Sequence, residues 1–170
     1  MTVAFSTERL EAEPLDLAAH EGELAALHAD ARVMKTMGGS TATPEQSRAW
    51  IERNLRHGEE AGLGIFVFRE RGTGAFVGRG ALRRIEIGGA EEVEVGYALA
   101  AEQWGRGLAT EMAAALVAHA EGHGFSALVA YTEPTNAASR RVMEKVGFRY
   151  ERDVEHHGRA QVLYRRRSGS

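Results

Sequence analysis

Eight consecutive residues, Gln103-Trp104-Gly105-Arg106-Gly107-Leu108-Ala109-Thr110, have the make-up of an anion-binding loop. They fall between a predicted strand and a predicted helix. The first turn of a helix leaves backbone N–H groups without partners, and the helix dipole places about +0.5 charge there. Gly105 and Gly107 let the backbone approach an anion with no Cβ in the way, and Ala109 and Thr110 keep the first turn open. Such a loop can hold a pyrophosphate. It can equally be a tight strand-to-helix turn, and the spacing alone does not choose. It is not a P-loop, because neither Lys35 nor Lys145 follows a glycine. A dinucleotide-binding GxGxxG fails at Thr110, and the strands before the loop read as a meander, not a βαβ unit.

The elements that must position this loop are legible from period and punctuation. A short strand is expected at 10–15, then a helix from a capping Asp16 to about His28, and a second short helix over 30–37. Thr43 caps a third helix over about 44–60, with Pro44 at its first position and Glu45 in its first turn. Strands over 64–70, 75–87 and 92–99, separated by Gly-containing turns, make an antiparallel meander. In the last of them Val93, Val95 and Tyr97 share one face and Glu92, Glu94 and Gly96 the other. A helix over 107–122, a buried strand over 127–133, a helix over 136–146 and a hairpin of 148–155 with 158–166 complete a mixed α/β domain.

Composition bounds the function. The chain has 170 residues, 44% hydrophobic and 26% charged, enough for one domain spanning 1–170. A net charge of −3 supplies no basic field for nucleic acid or an anionic membrane. There is no cysteine, so disulfides, thiolate metal sites and cysteine nucleophiles are excluded. No His/Asp/Glu cluster has ligand spacing, and no metal is expected. Arginine outnumbers lysine 19 to 2, which reads as coding bias and not as guanidinium chemistry. The N-terminus lacks a cationic start followed by an apolar run, and 108–120 is too short and polar to span a bilayer, so a cytoplasmic protein is expected.

A second segment, Asn136-Ala-Ala-Ser139-Arg-Arg-Val-Met143-Glu-Lys-Val-Gly147-Phe148, starts a helix about 30 residues beyond the glycine loop. Together, EVGYAL, WGRGLATEM and NAASRRVMEKVGF resemble the GCN5-related N-acetyltransferase (GNAT) superfamily, and within it the RimJ/RimL-like branch of ribosomal-protein N-acetyltransferases. The opening TERLEAEPL and Trp50 are similar to that branch too, and the likeness covers roughly residues 5–165.

The resemblance implies a mostly antiparallel sheet with splayed strands, flanked by helices, and acetyl-CoA as co-substrate. The pyrophosphate would lie on backbone N–H groups between Trp104 and Thr110, chiefly those of Gly105, Arg106, Gly107 and Ala109, with Leu108 inside the same turn. Trp104 stands where many members have Gln or Arg. Tyr97, Ala98 and Leu99 would pair with the pantetheine arm, which Asn136 would bond from the other side, with Ser139 one turn further along. An amine then attacks the thioester directly. Glu94 is the implied base, acting through water, with Glu92 in reserve, and the backbone N–H near Leu99 would polarise the carbonyl. Met143 occupies the position of a Tyr acid in many members, which leaves Ser139 as the nearest hydroxyl for the departing thiolate.

The acceptor is expected to be the α-amine of a protein or peptide. At pH 7.5 about a third of an α-amine is already neutral, against roughly 0.1% of a lysine, which suits a weak, water-relayed base. Aminoglycosides, polyamines and amino acids are alternative acceptors. The substrate wall is expected from 30–62 and the hairpin around 155–160, with His28, Asp30, Trp50, Glu155 and His157 as candidates. His156 and His157 read as an exposed turn. A non-catalytic acyl-CoA sensor is a competing class, a nucleotide-binding domain a weaker one, and a homodimer through the C-terminal hairpin edge is a further expectation.

Overall fold

The computed structural model describes residues 2–169. Eight strands form one sheet in the order β1-β2-β3-β4-β5-β6-β8-β7. They are β1 (Phe5–Ser6), β2 (Leu10–Pro14), β3 (Gly64–Glu70), β4 (Phe76–Ile87), β5 (Ala90–Leu99), β6 (Ala127–Thr132), β7 (Arg149–His156) and β8 (Arg159–Arg167). The helices are α1 (Leu17–Ala29), α2 (Ala31–Thr36), α3 (Pro44–Asn54), α4 (Leu108–Gly122) and α5 (Ala137–Lys145). The expected elements are present, and the mixed α/β architecture is as read from the sequence. The two-residue β1 was not expected.

Helix starts follow from their caps. Asp16 accepts the Ala19 N–H at 2.8 Å. Thr43 and Gln46 form a reciprocal capping box ahead of Pro44. The third helix ends earlier than its period suggested: α3 stops at Asn54 and tightens into a 3-10 turn over Leu55–Glu59. There the Asn54 amide donates to the Trp50 carbonyl at 2.8 Å, competing with the helical ladder.

All neighbouring strands are antiparallel except β5 and β6, which are parallel and register at a single pair, Glu94 with Val129. Beyond that pair, toward the C-terminal ends, the two strands separate. The sheet therefore has a slot at its centre. One face, carrying Val93, Val95 and Tyr97, packs on Leu108, Met112, Leu116 and Met143 of α4 and α5. The opposite face, carrying Ala98, packs on Leu24, Leu27 and Ile51 of α1 and α3. Both faces are buried at the point where the strands part.

Candidate active site

The glycine loop turns the chain from a 3-10 turn at Ala101–Gln103 into α4. Gly105 and Gly107 sit at φ of +77° and +75°, the left-handed region that a side chain would strain. Gly107 is the N-cap of α4, and no side chain caps that helix. The N–H groups of its first turn are thus not used by a cap, and Gly105, Gly107, Leu108, Ala109 and Thr110 line a cavity of about 660 Å³. Arg106 is the exception. Its guanidinium turns away to Glu70 at 2.8 Å and Gln103 at 2.6 Å, and it does not line the cavity.

Two anchors hold the loop. The Trp104 indole N–H donates to the Leu99 carbonyl at 3.0 Å. Arg9, in the turn between β1 and β2, donates from Nη1 to the Arg106 carbonyl at 2.8 Å and pairs through Nε with Glu111 at 2.7 Å. Glu111 also accepts from the Arg9 backbone N–H and the Thr7 hydroxyl. Sequence reasoning did not single out Arg9.

Strand alternation decides which backbone groups face the slot. Ala100 N–H donates to Val77 C=O at 2.9 Å, so in the unbroken register of β4 and β5 the groups of Ala98 also face β4. Those of Tyr97 and Leu99 face the slot. Of the three strand residues expected to pair with pantetheine, Ala98 therefore contributes lining but no free backbone edge. Leu99 presents its N–H, since its carbonyl is already held by Trp104.

Across the slot, the Asn136 side chain caps α5 by accepting the Ser139 N–H at 3.1 Å, and Asn136 and Ser139 both line the cavity. The Ser139 and Tyr97 hydroxyls are 3.3 Å apart. Burial pushes the Tyr97 phenol above its ordinary value, with the Ser139 hydrogen bond a smaller opposing effect, so the phenol keeps its proton at neutral pH. Met143 also lines the cavity, but its thioether carries no proton to donate. Two paired hydroxyls thus stand where the sequence offered one, because Tyr97 reaches across the slot from β5.

The other end of the cavity opens on the α1–α3 face of the sheet. Glu94 is 6% exposed, and its Oε2 accepts from Arg83 Nε at 2.7 Å. Arg83 also donates to the Asn54 side-chain oxygen at 2.9 Å. The Tyr131 hydroxyl lies against both, its proton held more tightly by burial and then by the Glu94 charge. Glu92, equivalent to Glu94 by alternation, is not in the cavity lining. Arg165 grips it through two bonds of 2.8 and 2.9 Å and holds its carboxyl below the usual range.

Four arginines and lysines line the cavity: Arg79 and Arg83 at this end, and Arg141 and Lys145 along α5. Arg79 is buried. Its Nε donates to His28 Nε2 at 3.1 Å, and its guanidinium lies 4.3 Å from the Trp50 ring centre. His28 Nδ1 is 2.8 Å from the Ser47 hydroxyl, and burial, then the Arg79 charge, lowers the imidazole to about 4. His28 and Trp50, two of the expected wall residues, therefore sit behind Arg79 and not in the lining. Asp30 caps α2 and pairs with Arg32, while Glu155 and His157 also lie outside the lining. The wall is instead Thr36, Met37 and Gln161. His156 is not a free turn residue, because its ring packs edge-on against Tyr131 at 4.9 Å. Among the described residues no group of His, Asp and Glu is arranged to hold a metal, and no helix is long and apolar enough to cross a membrane.

The cavity can hold an extended ligand with phosphates at the α4 end and a reactive group in the slot. A second substrate can enter from the opposite face. Comparisons with known proteins give the family and the fold. A family model described as acetyltransferase (GNAT) domain matches residues 9–149. The uncharacterized protein YkkB of Bacillus subtilis is 30% identical over 124 residues, 72% of each chain. A putative GnaT-family acetyltransferase from Bordetella pertussis superposes with a TM-score of 0.82, at 26% identity over 98% of this chain and 99% of that one. RimL, a ribosomal alpha-N-protein acetyltransferase solved in complex with coenzyme A, shares the fold at a TM-score of 0.79 and 17% identity, over 98% of both chains.

Proposed function

The chain belongs to the GNAT acetyltransferase family, an N-acetyltransferase that draws on acetyl-CoA, and from that premise we propose that it transfers the acetyl group directly to the α-amino group of a peptide or protein. The observation that carries this reading is the slot between β5 and β6. It joins a loop of open N–H groups on one face of the sheet to the Glu94–Arg83–Tyr131 cluster on the other. The fold shared with RimL supports a peptide acceptor.

In this reading the pyrophosphate of acetyl-CoA rests on the first turn of α4, from Gly107 to Thr110, where dipole and free donors favour an anion. Arg141 and Lys145 add positive charge along α5. The pantetheine arm pairs with the slot-facing edge of Tyr97 and Leu99, with Asn136 opposite. The thioester carbonyl accepts from Leu99 N–H, which stabilises the oxyanion as the amine adds. The ammonium proton passes through water to Glu94. Arg83, at 2.7 Å, holds this carboxylate in place, and an α-amine, already about a third neutral at pH 7.5, asks less of a water-relayed carboxylate than a lysine does. The C–S bond then breaks, and the Ser139–Tyr97 hydroxyl pair stabilises the departing thiolate by hydrogen bonding while solvent supplies its proton. No acyl-enzyme forms, in keeping with a chain without cysteine.

The test is thiol release from acetyl-CoA with free-N-terminus peptides, N-blocked lysine peptides, polyamines and aminoglycosides, comparing wild type with Glu94→Gln, Ser139→Ala and Tyr97→Phe. Release with α-amines, slowed about 10²-fold in Glu94→Gln, is expected. The double variant Ser139→Ala/Tyr97→Phe should lose more than either single one. Selective turnover of polyamines or aminoglycosides would replace the peptide reading. Tight acetyl-CoA binding without release on any amine would instead identify an acyl-CoA sensor.

A further inference from the structure

Arg79 is a buried cation whose own protein partners carry no negative charge. It is 6% exposed. Its Nε bonds a neutral imidazole nitrogen and its face covers an indole. Among the described residues no carboxylate forms an ion pair with it. Arg83, four residues along the same strand and therefore on the same face, repels it; Glu94 attracts it, but that carboxylate is hydrogen-bonded to Arg83, so two guanidinia share its one charge. Burial, then Arg83, lowers the Arg79 guanidinium to about 10, still charged at neutral pH.

Leaving a guanidinium buried without a counter-charge of its own is costly. The fold nonetheless spends three side chains on orienting it. Ser47 lies against His28 Nδ1, His28 Nε2 accepts from Arg79 Nε, and Trp50 covers the guanidinium face. With Nε committed, the two Nη groups have no hydrogen-bond partner among the described residues and are the prongs of the fork, and the residue lines the cavity on the side assigned to the acceptor. A guanidinium fork of this kind is shaped to bind a carboxylate through two parallel hydrogen bonds.

We propose that Arg79 reads a carboxylate on the acceptor, so that the preferred substrate is an amine bearing a carboxylate a few bonds from the attacking nitrogen. This rests on the acetyl-transfer reading and narrows its acceptor. The carboxylate can come from two sources: the α-carboxylate of a free amino acid, or the side chain of an N-terminal Asp or Glu in a peptide. In either case it supplies a second negative charge for the two guanidinia, while Glu94 remains opposite Arg83 to serve the amine. A polyamine or aminoglycoside would instead bring more positive charge to a site already holding two arginines.

The experiment pairs acidic and neutral isosteres in the thiol-release assay. Peptides beginning Asp or Glu are set against Asn or Gln, all with amidated C-termini, and free amino acids against their amides. Wild type should favour the acidic member of at least one pair roughly thirtyfold in kcat/KM, chiefly through KM, and the pair that shows it identifies the source. In Arg79→Gln that ratio should fall to within about threefold of one. Arg79→Lys, which keeps the charge without the fork, should give an intermediate ratio. Acetyl-CoA binding by calorimetry reports that each variant is folded. Equal turnover of acidic and neutral acceptors by wild type would overturn the proposal and leave acetyl transfer standing, as would an acidic preference that survives in a folded Arg79→Gln. Failure on every amine would overturn the acetyl-transfer reading, and this inference with it.

Discussion

Gly78 pairs with Leu99 in the β4–β5 ladder, beside the N–H assigned to the thioester carbonyl. A Cβ at residue 78 would stand 2.2 Å from the Ala98 carbonyl oxygen and 2.9 Å from Leu99 Cα, both backbone atoms that no rotamer change can move. A tolerable carbon–oxygen contact is about 3.3 Å, so Gly78→Ala must displace β5 by about 1 Å at the slot. A misplacement of that size costs on the order of 10²-fold in a reaction that depends on alignment. Gly80→Ala is the control. It pairs with Tyr97 on the same strand edge, but its Cβ meets side-chain atoms of Leu116 and Phe68 at 2.8 Å, in the core, where a rotamer change can answer it. Overpacking there costs about 1–3 kcal/mol, which lowers Tm by roughly 2–4 °C per kcal/mol in a chain of this size. The assay is kcat at saturating acetyl-CoA and amine, with Tm measured in parallel. Both variants should lose Tm, and only Gly78→Ala should lose about two decades of kcat. A Gly78→Ala enzyme that melts lower but keeps kcat within about threefold of wild type would refute the role given to the Leu99 edge.

Two further outcomes follow from the same contacts. Arg9→Ala removes a bond to the Arg106 carbonyl and a half-exposed pair with Glu111, so the KM for acetyl-CoA should rise about fivefold with kcat little changed, as read from saturation curves. His28 is lowered from 6.5 to about 4, so the folded state binds fewer protons than the unfolded one across that window. Its contribution to stability is complete above pH 6.5 and is lost as pH falls toward 4, and the Tm–pH profile of His28→Gln should be flatter than wild type over that interval.

The loop was legible in the sequence because its chemistry is local. A pair of glycines at a strand-to-helix junction favours left-handed turns and an uncapped helix start through its own backbone freedom, whereas the Arg9 anchor that holds the loop comes from 97 residues away and left no local mark. Caps at Asp16 and Thr43 were legible for the same reason. What alternation could not do was separate Glu92 from Glu94. The two share a face and a charge and differ only in what stands across the sheet. Glu92 meets Arg165 from β8, whereas Glu94 meets Arg83 at the one register pair before β5 and β6 part. The hydroxyl pair was hidden by the same feature, since Tyr97 and Ser139 are 42 residues apart and meet across the slot.

Arg79 was the least legible residue, and the reason is instructive. Among 19 arginines, one more carries no signal if the excess is read as coding bias. A signal was present in FVGRGALRRIEI, where Arg79 and Arg83 interrupt a strand flanked on both sides by other strands. A charge at an inward position of a central strand must find a counter-charge, a polar shell or a ligand. Arg83 finds Glu94. Arg79 finds an imidazole and an indole, which fix its orientation, and shares with Arg83 the single charge of Glu94. Arg79 lines the cavity, and under the proposal above the further charge is the one an acceptor brings.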